Sequence, residues 1–216
     1  RQFATKIELG WRMIQRVKAN GLPFEAVACD DLYGRSGWLR RQLGEAGIIY
    51  MADVPKDTQV YLTRPDFGVP LPRPGQRGPH PTRAQVLNEV QPIEVRQVVE
   101  RSDTLFQRVR VRSTERGELD DPFAMRRVWT IRDGVLAEEW LVIRHEGSYR
   151  YTYALSNAPA DTSLDRLAWL KCIRYFVERA NQDAKSEAGW DELQARKYQA
   201  WEHHLAMNVL APWFVA

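Results

Sequence analysis

The sequence is poor in cysteine and has no long apolar run. Its two cysteines, Cys29 and Cys172, are too few for a disulfide framework and lack metal-binding spacing. No stretch approaches the roughly 18 consecutive apolar residues that a membrane-spanning helix needs. The first residues are charged and lack the apolar segment of a secretory signal peptide. These absences predict a globular protein of the reducing cytoplasm with no membrane partner.

An excess of charge of one sign is also missing. The 31 lysines and arginines nearly balance the 28 aspartates and glutamates, for a net charge of +3. That value is too small to indicate a nucleic-acid partner by itself. The hydrophobic share of 44% and the charged share of 27% are those of an ordinary globular protein. The 216 residues therefore predict one large domain, or one domain with a sizeable insertion.

The first part of the chain has the pattern of an α/β protein. Apolar residues at helical spacing between positions 7 and 17 predict a helix that ends before Gly21 and Pro23. A short apolar run, residues 24–29, predicts a buried strand that ends at Asp30. A second helix near residues 39–46 and a second strand at 48–54 follow. Alternation of helix and strand is typical of an α/β sheet.

The middle and the end of the chain differ from this pattern. Six prolines between residues 63 and 83 predict an extended loop. Alternating segments up to residue 155 predict a meander of antiparallel strands, and the remaining residues predict a long helix and a final packing helix. We therefore expect a core formed by residues 1–56 and 160–216. A β-rich insertion, residues 57–159, with its Pro-rich loop at 63–83, should interrupt that core.

Two carboxylates are candidates for chemistry. Asp30 follows a predicted central strand, and ligands of open α/β sheets bind outside the carboxyl ends of strands. A carboxylate there suits a hard cation such as Mg²⁺. The simpler interpretation, which stays open, is that Asp30 or Asp31 only starts a turn. The second carboxylate is Glu178, on the predicted long helix.

Cations surround Glu178 at helical spacing. Steps of four and seven residues place Arg174, Glu178 and Lys185 in nearly the same direction, and Lys171 falls within the same arc. This face either holds phosphates beside a metal-binding glutamate or is a solvated face with ion pairs along the helix. On a predicted strand, Arg110 and Arg112 alternate with apolar residues and are expected to share one face with Arg108. DNA contact and simple solvation are equally good interpretations of that face.

These motifs resemble those of bacterial insertion-sequence transposases of the DDE superfamily. In that family two residues separate an Asp from a Tyr-Gly pair, as Asp31 and Leu32 separate Asp30 from Tyr33 and Gly34. The family's glutamate helix places Tyr, two residues, Arg, three residues, Glu, six residues and Lys. Arg174, Glu178 and Lys185 hold this spacing, and Lys171 stands at the Tyr position. Residues 195–214 resemble the family's C-terminal helix.

The resemblance implies a ribonuclease-H-like core and Mg²⁺-dependent cleavage and transfer of DNA strands. It implies that Asp30 and Glu178 are catalytic ligands of two Mg²⁺ or Mn²⁺ ions. The implied contacts to DNA phosphates are Arg174 and Lys185. The charge pattern of the helix and of the strand adds Lys171, Arg110 and Arg112 as further candidates for such contacts. The implied partners are double-stranded DNA, at element ends and target, and a second copy of the chain, at the bacterial nucleoid.

The family's first catalytic Asp has no evident counterpart in this sequence. We expect it on a strand upstream of residue 1, so the chain alone should cleave DNA poorly or not at all. The alternative function is a catalytically dead DNA-binding or assembly module derived from such an enzyme.

Overall fold

The computed structural model describes residues 3–71, 81–114, 117–147, 149–194 and 196–215. The helices are α1 (Lys6–Ala19), α2 (Asp31–Gly34), α3 (Gly37–Glu45), α4 (Val95–Val99), α5 (Leu164–Cys172), α6 (Arg174–Ala188) and α7 (Tyr198–Val215). The strands are β1 (Ala26–Cys29), β2 (Ile49–Val54), β3 (Gln59–Val60), β4 (Phe67–Gly68), β5 (Gln85–Val86), β6 (Ile93–Glu94), β7 (Gln107–Thr114), β8 (Gly117–Arg132), β9 (Val135–Glu146) and β10 (Arg150–Ser156).

One mixed sheet organises the protein, in the order β1-β2-β10-β9-β8-β7. Strands β1 and β2 are parallel and are connected through α2 and α3, whereas every other pairing in this sheet is antiparallel. The expected α/β class and the expected meander are both present. The meander continues the sheet of β1 and β2, because β10 pairs directly with β2.

Local sequence signals set the ends of several elements. Thr5 caps α1 and forms a capping box with Glu8, which satisfies two backbone donors at the start of the helix. Asp133 and Gly134 have positive φ angles of 48° and 78° and join β8 to β9. An Asp-Gly pair with both φ angles positive is the favoured two-residue hairpin loop, because its twist matches that of the strands.

Two apolar clusters hold the sheet to its helices. Around β1 and β2, the side chains of Leu39, Leu43 and Tyr50 are almost completely buried. Farther along the same sheet, Val95 and Val98 of α4 are buried against residues of β8, β9 and β10. Each large apolar side chain buried in this way contributes roughly 1.5–3 kcal/mol. The helix α4 and the short strands β3 to β6 lie in the segment for which the sequence predicted only a loop and strands.

The chain forms two compact units, Arg1–Lys171 and Cys172–Ala216. The first contains the mixed sheet, and the second contains α6 and α7. The domain boundaries expected from the sequence, a core of 1–56 and 160–216 around an insertion of 57–159, stay a prediction. Within the residues that the structure describes, every helix is too short or too polar to cross a membrane.

The predicted long helix is two helices in the structure. Helix α5 ends at Cys172 and α6 begins at Arg174. Part of the predicted Pro-rich loop, residues 72–80, lies outside the described residues.

Candidate active site

Asp30 is the first residue after β1 and the N-cap of α2. Its Oδ1 accepts a hydrogen bond from the backbone N–H of Tyr33 at 3.1 Å, and its carbonyl oxygen accepts one from the N–H of Gly34 at 2.7 Å. The turn-starting role is therefore observed. The same contacts fix the orientation of a half-buried carboxylate at the carboxyl end of a parallel strand.

The Tyr-Gly pair after Asp30 packs α2 onto its neighbours. A Cβ placed on Gly34 would lie 1.9 Å from the carbonyl oxygen of Asp53, so only glycine allows this approach of α2 to β2. The Tyr33 ring packs against Gly10 of α1, where an added Cβ would lie 3.0 Å from the ring. Arg40, buried in α3, donates a hydrogen bond to the carbonyl oxygen of Gly34. The Tyr-Gly pair therefore holds the Asp30 turn in place through its packing against α1, α3 and β2.

A second carboxylate lies at the same sheet edge. Cys29 is paired with Ala52 across β1 and β2, so Asp30 and Asp53 follow these two residues on neighbouring parallel strands. Burial, together with the negative charges of Asp30 and Asp53, raises the pKa of the Cys29 thiol to about 12. Sequence reasoning missed Asp53. The available signal was its position near the end of a predicted strand that follows the Asp30 strand.

Lys171 reaches Asp53 from the end of α5. Its Nζ lies 2.9 Å from Oδ1 of Asp53, and its side chain is 3% exposed. The sequence placed Lys171 on the charged face opposite the apolar stripe, and that placement is wrong. Its side chain is buried, because the helix that carries it packs its end into the first unit. The predicted contact of Lys171 with DNA phosphate stays a prediction.

Glu178 lies on an exposed face of α6. Nη2 of Arg174 is 2.5 Å from Oε1 of Glu178, and the two side chains are 37% and 60% exposed. Arg179 and Asp183 form a second pair of the same spacing at 3.0 Å. The helical spacing predicted for Arg174 and Glu178 is confirmed, and so are the ion pairs of the simpler interpretation. Both interpretations therefore remain compatible with this face.

Lys185 also lies on α6 and is exposed. It lines a pocket of the second unit together with Asn181, Trp190 and Asp191. Asp30 belongs to the first unit and Glu178 to the second. Their assignment as one catalytic pair stays a prediction.

The arginines of β7 do not all share a face. Arg110 is paired with Asp120 of β8, and Arg112 is paired with Leu119. Directly paired residues lie on one face, and successive residues of a strand lie on opposite faces. Arg112 therefore faces away from Arg110, contrary to the prediction. The reason is a β-bulge between them, which adds one residue to β7 and reverses the alternation.

The exposed arginines of β7 form ion pairs with carboxylates of β8. Arg108 contacts Asp120 at 3.2 Å, and Arg110 forms an ion pair with Glu118. Cross-strand pairs of opposite charge stabilise a solvated sheet surface. This pairing favours the solvated interpretation of that face, and the DNA contacts of Arg110 and Arg112 stay predictions.

The chemistry of the donors at the sheet edge suits a hard cation. Carboxylate oxygens are the ligands that Mg²⁺ prefers. Among the described residues, no group of three or more His, Cys, Asp or Glu side chains is close enough to bind one metal ion. The described residues of the first unit offer the carboxylates of Asp30 and Asp53 at one sheet edge.

A comparison with models of known protein families assigns a family to the chain. The family model described as DDE superfamily endonuclease matches residues 1–118, more than half of the chain. That range contains Asp30, Asp53 and the Tyr-Gly pair. No curated protein matches the sequence. The chain therefore belongs to the family of DDE superfamily endonucleases.

Proposed function

We propose that the chain is the catalytic-domain portion of a DNA transposase, with Asp30 and Glu178 as catalytic metal ligands. The observation that carries the proposal is Asp30 itself. It lies within the matched family range, at the carboxyl end of a parallel strand, with its carboxylate fixed by the N-terminus of α2. The proposed core is ribonuclease-H-like, with β1 and β2 among its strands.

The proposed chemistry is cleavage and transfer of DNA strands with two Mg²⁺ or Mn²⁺ ions. When bound, such ions activate the attacking hydroxyl or water and stabilise the leaving oxygen. Asp30 presents carboxylate oxygens at a fixed position, and the hydrogen bond from Tyr33 keeps it from turning away. A preoriented ligand loses less conformational entropy when a cation binds.

The cations of α6 would orient the DNA. Arg174 lies beside Glu178 and presents a planar guanidinium that can bind a phosphate by two hydrogen bonds. Lys185 is exposed on the same helix and would contact a second phosphate as a point charge. In this proposal a phosphate replaces Glu178 as the partner of Arg174 when the carboxylate binds metal. Two copies of the chain would act on paired element ends in the bacterial cytoplasm, at the nucleoid.

The experiment compares two neighbouring aspartates. Asp30→Asn removes the proposed ligand, whereas Asp31→Asn removes an exposed carboxylate that pairs with Arg35 at 3.1 Å. The protein encoded by the complete open reading frame would be incubated with a substrate plasmid that carries the DNA flanking the gene. Strand breaks would be scored with Mg²⁺, with Mn²⁺ and with EDTA.

The expected result is metal-dependent cleavage that D30N abolishes and D31N leaves intact. Calorimetric titration with Mn²⁺ should show weaker binding for D30N alone. Cleavage that survives D30N would overturn the proposal. DNA binding without cleavage by the unsubstituted protein would instead favour a catalytically dead DNA-binding module.

A further inference from the structure

The ion pair formed by Lys171 and Asp53 ties α5 to the sheet edge that carries Asp30. The two residues are 118 positions apart in the sequence, and the charge of Lys171 is almost completely removed from water. An ammonium group loses several kcal/mol of hydration when it is buried, and a carboxylate partner must offset that loss. Asp53 supplies such a carboxylate to Lys171.

Asp53 also touches the turn that holds Asp30. Its carbonyl oxygen lies against the Cα of Gly34, so closely that no larger residue fits. The N–H of Gly34 donates to the carbonyl oxygen of Asp30, and the N–H of Tyr33 donates to its carboxylate. A continuous path of contacts therefore runs from the ammonium of Lys171 to the carboxylate of Asp30.

The ion pair also balances charge at this edge. The ammonium of Lys171 lies 2.9 Å from Oδ1 of Asp53 and offsets the negative charge of that carboxylate.

We propose that Lys171 and Asp53 are a positioning pair for the reaction, in which the buried ion pair fixes the end of α5 against the Asp30 turn. This inference rests on the proposed function. It assigns Lys171 a role different from the phosphate contact that its spacing in the sequence predicted. Lys171 is the last residue of the first unit, so the pair also fixes the point at which the chain leaves that unit.

The test separates positioning from phosphate binding. The variants are Lys171→Met, Asp53→Asn and their double variant, and the matched control is Lys185→Met on the exposed face of α6. Three quantities would be measured on the protein encoded by the complete open reading frame: kcat, KM for DNA, and the slope of DNA affinity against salt concentration. Each assay would be run well below the unfolding midpoint of that variant.

A positioning pair predicts a fall in kcat with KM and the salt slope unchanged. Misplacement of a reacting group by about 1 Å can cost on the order of 10²-fold in rate, so we expect K171M to lower kcat by at least about tenfold. The double variant should lose about as much as the worse single variant, because both changes break one contact. K185M should instead raise KM and reduce the salt slope by about one unit, since each neutralised phosphate contributes about that much.

Four outcomes would overturn the inference. A double variant with unchanged kcat would show that the ion pair has no role in the reaction. The double variant removes both charges of the pair, so it can be assayed even if K171M alone does not fold. A K171M effect confined to KM and the salt slope would make Lys171 a phosphate contact. Cleavage that survives D30N would remove the proposed function, and this inference with it. Loss of cleavage in D30N with unchanged kcat in K171M would remove only the inference.

Discussion

The cations of two ion pairs lie on either side of Ile173, and the two pairs differ both in their burial and in the distance along the sequence between their partners. Lys171 is 3% exposed and contacts a carboxylate on a distant strand. Arg174, only three residues later, is 37% exposed and contacts Glu178 on its own helix. The first pair depends on tertiary packing and the second on helical periodicity alone. Position within a family signature therefore does not decide whether a cation faces a ligand or the protein interior.

A third pair extends this comparison to the centre of the sheet. Glu139 of β9 is fully buried and accepts hydrogen bonds from the hydroxyl groups of Tyr50 and Thr130. Nε of Arg40 lies 3.4 Å from its carboxylate. Burial and the charge of Glu139 raise the pKa of Tyr50, so the phenol stays protonated and remains a donor. This network joins α3 to β2, β8 and β9.

The largest effect is expected from Glu139→Gln. The change leaves Arg40 as a buried cation without a carboxylate, and breaking a buried pair in this way costs about 3–5 kcal/mol. The free energy of unfolding, measured by urea denaturation, should fall by that amount. The matched control is Glu138→Gln, because Glu138 contacts Arg127 at 2.8 Å on a more exposed part of the same strand. A loss below about 1 kcal/mol for E139Q would contradict the role of burial in this comparison.

A smaller loss of stability is expected from Lys171→Met. Asp53 keeps 30% exposure, so its carboxylate can regain some water when the ammonium is removed. The loss of one charged hydrogen-bond partner of this kind costs about 2 kcal/mol. Urea denaturation of K171M and of Lys185→Met would measure the difference, since Lys185 is exposed. Equal stability of the two variants would mean that the buried pair does not hold α5.

Much of the fold could be predicted because it depends on local signals. The β1-helix-β2 order, the antiparallel strands and the Asp133-Gly134 hairpin all follow from periodicity and turn residues. The bulge in β7 could not be predicted, since one inserted residue leaves the alternating pattern intact on each side. That single residue reversed the face assigned to Arg112.

The candidate site was only partly predictable, for a related reason. Asp30 could be found because its strand, its turn and its Tyr-Gly pair are contiguous in the sequence. Asp53 and Glu139 could not, because their importance comes from partners more than 80 residues away, Lys171 and Tyr50. The predicted orientation of Lys171 was wrong because helical spacing gives only the direction of a side chain around the helix axis. It does not show which other elements pack against that side of the helix.

The buried Cys29 thiol should make the free energy of unfolding depend on pH. Its folded pKa of about 12 is above its ordinary value of 9.0, so its contribution to stability is complete below pH 9 and is lost as the pH rises toward 12. The free energy of unfolding should therefore fall by about 1 kcal/mol between pH 8 and pH 10 from this group. Cys29→Ala should remove that part of the slope. Asp53→Asn should reduce it, because one of the charges that raises the thiol pKa is gone; an unchanged slope in both variants would contradict the assignment.

The smallest effect is expected from Glu178→Gln. Its pair with Arg174 is an exposed pair within one helix, and such pairs contribute about 0.3–0.5 kcal/mol. Asp183→Asn breaks the neighbouring pair of the same spacing and is the matched control. Both variants should unfold at nearly the same urea concentration as the unsubstituted protein, and added salt should remove the remaining difference. A loss above about 1 kcal/mol for E178Q alone would mean that the carboxylate is required by the fold, as Glu139 is. A negligible loss means that Glu178 can leave Arg174 at little cost, which a carboxylate must do if it is to bind a metal ion.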